Sequence, residues 1–469
     1  MNSSPSDLTA LSAHAMLRLF RTRALSPVEV ARAVLARIDA LNPRLNAFCH
    51  LAPEETLAAA RASEARWLAG TPCGALDGVP VSIKDLLLTR GWPTLRGSRT
   101  VDPTQPWTVD APATARLREA GAVLLGKTTT PEFGCKGETN SPLTGITRNP
   151  WDLSKTSGGS SGGTAAAVAA GLGPLGIGTD GAGSVRIPGA FCGNFGLKPS
   201  FGRVPAYPLS PFGTVAHVGP HSMDVTDAAL IMNVLKQPDA RDWTALPPDS
   251  RDYTIGLQDG IRGLRIAWSP TLGYARVDPE IAAATAAAVA ELSALGAEVE
   301  ALDPGFADPI EITIGLWFLG AWTLWNTLTP AQQAVADPDF RAEAELGARF
   351  SALEIQQLHL RRGALGSQMR QFMQDYDLLA TPTLAVTAFD ARAAGHTAMD
   401  ANSLLGWTPF SYPFNLTQQP ACTIPCGLSR AGLPIGLQLV GPMFGDAQVL
   451  RAARAFEAVR PIARPVLAG

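Results

Sequence analysis

Two glycine-rich stretches mark the middle of this chain: Gly-Gly-Ser-Ser-Gly-Gly at residues 158–163, and Gly-Thr-Asp-Gly-Ala-Gly-Ser-Val-Arg-Ile-Pro-Gly at residues 178–189. The alanine-rich run between them, 164–170, predicts a helix. Glycine allows left-handed backbone and a close approach to a ligand, so several N–H groups of one turn can converge on one point. Ser160 and Ser184 would each lie beside such a cradle. The pattern predicts a serine nucleophile with an oxyanion site, but it contains no base.

Both turns, their spacing and the Ser-Val-Arg-Ile-Pro ending resemble the amidase signature family of hydrolases. Gly-Val-Pro-Val-Ser-Ile-Lys-Asp at residues 78–85 resembles the lysine motif of that family, and further matches lie at 149–152, 196–199 and 436–442. The motifs stand in the family's order and cover most of the chain. The resemblance implies a Ser–Ser–Lys triad, with Ser184 as nucleophile, Ser160 as bridging serine and Lys84 as base. It also implies a cis peptide bond between Gly159 and Ser160.

The composition is that of a compact protein with a large core. The chain has 469 residues, of which 46% are hydrophobic and 17% charged, and its net charge is −3. We find no basic cluster, so nucleic acid is not an expected partner. The six cysteines are scattered and the N-terminus lacks a signal-peptide pattern, which together predict free thiols and a cytoplasmic protein. The uncharged run 312–328 is shorter than the ~20 apolar residues of a membrane span, so it predicts a buried helix.

The chain order predicts an α/β protein. Short apolar strands at 79–83 and 122–125 alternate with helices at 111–120 and 164–170, a pattern typical of a sheet with helices on both faces. The family resemblance implies one large domain over residues 1–469, built on a twisted mixed sheet. Within it we expect an all-helical N-terminal layer at 8–60, a catalytic core at 76–240, and a helical and loop region at 310–405 that shapes the substrate pocket.

Lys84 follows the apolar strand 79–83, which predicts that its side chain is buried. Burial lowers the pKa of a lysine by disfavouring its charged form, and a neutral lysine can serve as a base near pH 7. Pairing with Asp85 is the alternative, but consecutive strand residues point to opposite faces. Ser160 would accept the proton of Ser184 and pass its own to Lys84.

The second turn predicts the groups that would hold the oxyanion. They are the backbone N–H groups of Gly181, Ala182, Gly183 and Ser184. Ala182 departs from the glycine that is frequent in the family, and its methyl disfavours a positive φ. Asp180 and Arg186 are expected to hold the loop by hydrogen bonds rather than to touch the substrate.

Aromatic residues predict an apolar pocket. Phe318, Trp322 and Trp325 recur at helical spacing on one face, which is more typical of a core but can also line a channel. The predicted pocket residues are Thr179, Phe318, Trp322, Trp325, Trp407 and Phe410. We expect a small-molecule substrate, an uncharged aryl or acyl amide, with esters and carbamates as further candidates. No metal or organic cofactor is expected, and the protein is predicted to be a monomer or homodimer.

Two motifs predict other chemistry. Residues 121–128 match the phosphate-loop pattern, but their apolar middle indicates a buried strand. Residues 158–162 match the nucleophile elbow of α/β-hydrolases; that alternative makes Ser160 the nucleophile of an esterase and needs a histidine such as His359 or His396. His217 and His221 are expected to have structural or pocket-edge roles.

Two further functions remain open. One is the glutaminase subunit of a tRNA-dependent amidotransferase. Thr408 stands where that branch carries a carboxylate, which favours a stand-alone amidase. The other is a binding module without catalysis, which the complete serine–serine–lysine set disfavours.

Overall fold

The computed structural model describes residues 7–392 and 405–467. Its α-helices are α1 (Ala13–Arg21), α2 (Pro27–Leu45), α3 (Pro53–Ala69), α4 (Pro112–Glu119), α5 (Gly162–Ala169), α6 (Arg186–Cys192), α7 (Val225–Leu235), α8 (Pro279–Ala294), α9 (Ile310–Trp325), α10 (Pro330–Gln333), α11 (Pro338–Gly347), α12 (Ala352–Phe372), α13 (Pro413–Leu416) and α14 (Asp446–Val459). Its strands are β1 (Phe48–Leu51), β2 (Pro80–Lys84), β3 (Val123–Thr128), β4 (Asn140–Ser141), β5 (Gly145–Ile146), β6 (Leu175–Asp180), β7 (Phe195–Lys198), β8 (His217–Ser222), β9 (Arg265–Trp268), β10 (Glu298–Ala301), β11 (Leu378–Pro382), β12 (Ala421–Leu428) and β13 (Pro434–Val440).

One mixed sheet of 11 strands organises the molecule, in the order β1-β3-β2-β6-β8-β7-β12-β13-β11-β9-β10. Strands β3, β2 and β6 run parallel, as do β11, β9 and β10, while the strands between these two groups pair antiparallel. The predicted single α/β domain with a mixed sheet is therefore confirmed.

The two faces of the sheet differ in side-chain size at its centre. Val81 and Ile83 of β2 belong to a large apolar core that includes residues of α4, α7, α8 and α14. On the opposite face, β6 carries glycines: a Cβ on Gly176 would lie 2.4 Å from Thr164 Cγ2 of α5, and one on Gly178 would lie 2.7 Å from Ser161 Oγ. These missing side chains let the 158–163 turn and α5 lie directly against the sheet, which places the turn near the end of β2.

The sequence predicted an all-helical N-terminal layer at 8–60, but the structure contains a strand there. Residues 48–51 form β1, which pairs antiparallel with β3 at one edge of the sheet. Helix α2 ends at Leu45, Asn46 takes a left-handed conformation (φ 53°), and the Asn42 side chain accepts from the N–H groups of Ala47 and Phe48 at 2.9 and 2.8 Å. This side-chain cap reverses the chain into a strand too short to show a periodic pattern.

Two other predictions concern apolar runs. The phosphate-loop look-alike ends in β3, where Lys127 is completely buried, so it forms no open loop, as predicted. The uncharged run 312–328 was predicted as a buried helix; its first part lies in α9 and is packed into an apolar core, whereas Thr323, Asn326 and Thr327 are exposed. Within residues 7–392 and 405–467, no helix combines the length and apolar character that a membrane crossing requires.

Candidate active site

Lys84 ends strand β2, and its side chain is completely buried. Its Nζ lies 2.7 Å from Ser160 Oγ, 2.9 Å from Ser161 Oγ and 2.9 Å from Thr179 Oγ1. The parallel strands β2 and β6 thus bring Lys84 and Thr179 to the same edge, where the glycine-rich turn meets them. The sequence analysis did not predict Ser161 as part of this group. The available signal was that the glycine-rich turn contains a second serine directly after Ser160.

Burial lowers the pKa of Lys84 well below its ordinary value, and the charge of Asp180 opposes this only in part. The neighbouring Asp85 does not hold the ammonium charge, because its carboxylate lies 3.5 Å from Lys127 Nζ on the other face of the strand. A lysine that contacts only hydroxyl groups, with no carboxylate beside it, favours the neutral amine.

The two serine turns are joined to each other. The Gly159–Ser160 peptide bond is cis, as the family resemblance implied. The Ser161 N–H donates to the Ser184 carbonyl at 3.2 Å. Ser160 and Ser184 both line one cavity of about 300 Å³, so the two hydroxyls share one accessible space.

A buried ion pair holds the second turn. Arg186 donates to both carboxylate oxygens of Asp180 at 3.0 Å, and both side chains are completely buried. Asp180 also accepts from the N–H groups of Gly183 (2.8 Å) and Val185 (3.1 Å). Burial alone would raise the pKa of Asp180, but the charge and hydrogen bonds of Arg186 hold that pKa far below its usual range. The predicted loop-holding role of this pair is what the contacts show.

The Asp180 contact bears on the predicted oxyanion site. The N–H of Gly183 is already donated to Asp180, whereas the described residues offer no acceptor to the N–H groups of Gly181, Ala182 and Ser184. The left-handed backbone of the turn falls on Gly183 (φ 125°), so the methyl of Ala182 causes no strain. Three of the four predicted donors therefore remain free for a ligand.

Most of the predicted aromatic pocket lies elsewhere in the structure. Thr179 lines the cavity, but Phe318, Trp322, Trp325, Trp407 and Phe410 are not among the described residues of its wall. Trp325 packs on Phe340 of α11, with ring centroids 5.9 Å apart, and Trp407 stacks on Phe191 at 5.6 Å. The 318/322/325 face of α9 was correctly predicted as a helical stripe, but it faces the core between helices.

The neighbouring face of α9 lines the cavity instead. Trp317 and Leu324, seven positions apart, belong to the wall. The Trp317 indole stacks on Phe212 with ring centroids 3.9 Å apart, and its N–H donates to the Cys135 carbonyl at 2.8 Å. The rest of the wall comes largely from the proline-rich loop 199–214 and from 242–244. A run of prolines and aromatics with one charged residue, Arg203, was the available signal for this loop.

Among the described residues, no histidine forms a hydrogen bond with the Ser160 hydroxyl. His359 is exposed on α12, and His396 falls outside the described residues. His217 lines the cavity, but burial, with the neighbouring Lys198, lowers its pKa well below the ordinary value. His221 is buried with its Nδ1 3.0 Å from Asn194 Oδ1, and burial lowers its pKa to about 3. In the described structure Ser160 therefore contacts a lysine, which disfavours the α/β-hydrolase alternative.

One group of side chains could offer three metal ligands within the described residues: His14, Asp224 and Asp227. Asp227 already accepts from the N–H groups of Ala13 and His14 at the start of α1, and Asp224 caps α7. These carboxylates serve as helix caps, and they do not line the catalytic cavity.

The comparisons with known proteins agree with this geometry. A sequence model of the family described as Amidase matches residues 29–450. An acylamidase of Rhodococcus erythropolis is 40% identical over 462 residues, covering 97% of this chain and 96% of that protein. A glutamyl-tRNA(Gln) amidotransferase subunit of Chloroflexus aggregans is 38% identical over 477 residues, covering 96% of each.

Solved structures give the same result. The crystal structure of a bacterial aryl acylamidase of the amidase signature enzymes superposes with a TM-score of 0.90 at 32% identity, covering 97% of both chains. A 6-aminohexanoate cyclic dimer hydrolase superposes with a TM-score of 0.88 at 29% identity, covering 98% of this chain and 99% of that one. Sequence and fold agree, and the chain belongs to the amidase signature family of hydrolases.

Proposed function

We propose that this protein hydrolyses amide C–N bonds through an acyl-enzyme on Ser184, with Ser160 as proton relay and Lys84 as base. The observation that carries the proposal is the buried Lys84 amine, which lies 2.7 Å from the Ser160 hydroxyl and has no carboxylate beside it. Serine is a weak nucleophile at its free pKa and needs such a base.

The hydrogen bonds around Lys84 indicate where its lone pair points. The Ser161 hydroxyl donates to the Thr179 carbonyl at 3.1 Å, so it can only accept from Lys84. We assign the second N–H of Lys84 to the Thr179 hydroxyl, whose oxygen lies at 2.9 Å. A neutral amine has two N–H groups and one lone pair, so this assignment leaves the lone pair for the Ser160 hydroxyl. This is the orientation that a base needs.

The first half of the reaction then follows. Ser160 donates its proton to Lys84 and accepts the proton of Ser184, while Ser184 Oγ forms a bond to the substrate carbonyl carbon. In this proposal the free N–H groups of Gly181, Ala182 and Ser184 donate to the new oxyanion; loss of one such donor typically costs about 3–4 kcal/mol. When the tetrahedral intermediate collapses, the C–N bond breaks and the amine leaves with the proton stored on Lys84.

The second half repeats the proton path with water. Water gives a proton through Ser160 to Lys84 and attacks the acyl carbon. Collapse breaks the bond to Ser184 Oγ, which recovers the proton, and the carboxylic acid leaves. Atoms and charges balance without a cofactor.

The cavity wall supports aryl or acyl amides as substrates. It is mainly apolar and includes Phe133, Phe212 and Trp317. Ligand sites of this size bind largely by apolar contact with a few polar anchors. The similar acylamidase and aryl acylamidase agree with this class. Since an acyl-enzyme forms from any activated carbonyl, we extend the proposal to esters and carbamates.

A panel of anilides, aliphatic amides, esters and carbamates of graded size tests the substrate class, and a fluorophosphonate probe tests the nucleophile. We expect turnover of at least one anilide and a covalent adduct on Ser184. An intact, folded protein that forms no adduct there would contradict the proposal and restore the binding-module alternative.

The second candidate is a glutaminase subunit, favoured by the full-length similarity to the glutamyl-tRNA(Gln) amidotransferase protein of Chloroflexus aggregans. Thr408 disfavours it, because this buried side chain donates to the Leu405 carbonyl at 2.9 Å and offers no carboxylate. Glutaminase activity is measured with and without small partner subunits; glutamine turnover that a partner stimulates would establish this alternative.

We also propose a cytoplasmic enzyme that acts as a monomer or homodimer. All six cysteines are free thiols, which fits a reducing compartment. Fractionation of the native host and light scattering of the purified protein test the two statements.

A further inference from the structure

Charge is scarce on the cavity wall. Among the described residues that line it, the only acidic, basic or histidine side chains are Arg96, His217 and Asp242. Asp242 is used within its own loop, where it accepts from the N–H groups of Ala206 (2.9 Å) and Thr244 (2.8 Å). Burial keeps His217 neutral. Arg96 is therefore the one wall residue that brings an uncommitted charge to the cavity.

The Arg96 guanidinium has no partner in the described structure. No carboxylate lies within 4.0 Å of it, and no hydrogen-bond acceptor faces it. The carboxylate whose charge raises the pKa of Arg96 is Asp85. Asp85 instead contacts Lys127 at 3.5 Å and accepts from the Gly97 N–H at 3.3 Å. Asp85 thus contacts Lys127 rather than Arg96. Arginine stays protonated in proteins, so Arg96 carries a positive charge that is paired with no carboxylate of the described residues.

The backbone holds Arg96 beside the catalytic serines. Arg96 (φ 58°) and Phe133 (φ 51°) both have left-handed conformations, and the Phe133 N–H donates to the Arg96 carbonyl at 2.8 Å. The next residue, Gly134, is so close to Ser160 that a Cβ on it would lie 3.2 Å from Ser160 Oγ. Left-handed backbone at residues with side chains is strained and recurs at functional sites. Two such residues side by side fix one end of the cavity.

From this unpaired cation in an otherwise apolar cavity, we infer that the preferred substrates are amides that carry a carboxylate at a distance from the scissile bond. The inference rests on the amidase activity proposed above and narrows its substrate class. It differs from the uncharged amides that the sequence alone favours. The planar guanidinium can donate two parallel hydrogen bonds to a carboxylate, which neutral substrates cannot use.

Two pairs of isosteric substrates test the inference and locate the carboxylate. For the acyl half, the 4-nitroanilide of succinic acid is compared with that of 4-methylpentanoic acid. For the amine half, N-acetyl-4-aminobenzoate is compared with the acetyl amide of 4-isopropylaniline. Each is measured with the wild type, Arg96→Met, Arg96→Lys and the control Arg99→Met, which removes an exposed arginine three positions along the same loop.

We expect the wild type to prefer the acidic member of at least one pair. Hydrogen bonds to charged groups contribute about 1.5–3 kcal/mol, so Arg96→Met is expected to lower kcat/KM for that member about 10- to 100-fold. The neutral member should change less than about threefold, Arg96→Lys should give an intermediate loss, and Arg99→Met should change neither. An equal loss on both members, or a wild type that prefers the neutral member of both pairs, would overturn the inference.

A binding measurement separates this inference from the amidase proposal. The succinyl 4-nitroanilide and N-acetyl-4-aminobenzoate are each titrated calorimetrically into Ser184→Ala and into Ser184→Ala/Arg96→Met. Weaker binding of at least one of them to the double variant by about tenfold or more supports the Arg96 site whether or not turnover occurs; equal binding of both refutes it. Lack of turnover on all four substrates by the wild type would refute the amidase proposal alone. Circular dichroism confirms that each variant is folded, and Arg96→Gln replaces Arg96→Met if the latter is not.

Discussion

Asp180→Asn tests whether the buried ion pair supports both the fold and the nucleophile turn. The change removes the negative charge opposite Arg186 while keeping nearly the same shape. Both side chains are completely buried, and the Asp180 carboxylate accepts from Gly183, Val185 and Arg186. An uncompensated arginine in the interior costs about 3–5 kcal/mol, which is much of the stability of a typical domain.

That cost converts into a measurable change in melting temperature. Unfolding entropy near the midpoint is about 2 cal/mol/K per residue, so a chain of 469 residues has roughly 1 kcal/mol/K. A loss of 3–5 kcal/mol then lowers Tm by about 3–5 °C. The Gly183 N–H donates to Oδ1 of Asp180 and the Val185 N–H to Oδ2. An asparagine has one amide oxygen and cannot accept at both positions, so we also expect kcat for an anilide to fall about 10-fold or more.

Asp390→Asn is the matched control. Asp390 pairs with Lys155 at 2.6 Å, but its side chain is 81% exposed, and such surface pairs contribute about 0–1 kcal/mol. The assay compares thermal unfolding and anilide hydrolysis for the two variants. If Asp180→Asn lowers Tm no more than Asp390→Asn does, the reasoning from burial is refuted.

Three further predictions concern the base, its protonation and the packing of the turn. Lys84→Met and Ser184→Ala should each abolish turnover, and Ser160→Ala should lose somewhat less; steady-state kinetics that rank Ser160→Ala below the other two would contradict the relay. Because only the neutral amine accepts a proton, kcat/KM should rise with pH through the lowered pKa of Lys84 and fall below it. Between the lowered pKa of folded Lys84 and the ordinary lysine pKa, the unfolded chain binds one more proton than the folded chain. The free energy of unfolding of the wild type, measured by urea titration, should therefore rise with pH over this range relative to that of Lys84→Met. Parallel curves for the two proteins would contradict a neutral Lys84. Gly176→Ala should destabilise the protein by about 1–3 kcal/mol, because its Cβ would lie 2.4 Å from Thr164 Cγ2. Gly363 in α12 has open space around it, so Gly363→Ala should be neutral or stabilising. Equal urea midpoints for the two variants would show that α5 can move away from the sheet.

The family resemblance and local sequence chemistry together predicted the proposed catalytic group, of which the structure places Lys84 Nζ 2.7 Å from Ser160 Oγ. The glycines of both turns, the serines within them and the apolar strand before Lys84 are local features, and each indicates its own backbone conformation or burial. The alternation of side chains along β2 also separated Lys84 from Asp85, which contacts Lys127 instead. The sequence pattern predicted strands at 79–83 and 122–125 and helices at 111–120 and 164–170, which correspond to β2, β3, α4 and α5. It did not predict the central strands β6, β7 and β8, nor the four-residue β1, which depends on a side-chain cap and on pairing with β3.

The cavity could not be predicted in the same way. Periodicity identified an aromatic stripe on α9, but a helix surrounded by protein has several apolar faces, and only its packing against α11 decides which one is core. That packing turns Trp317 rather than Phe318 toward the catalytic serines. Likewise, an arginine in a loop has no periodic pattern, and its lack of a partner becomes visible only when every nearby carboxylate is located. Local backbone preferences depend on neighbouring residues in the sequence. The wall of a cavity depends on contacts between segments far apart in the chain, and for this reason only the tertiary structure determined which residues line the cavity.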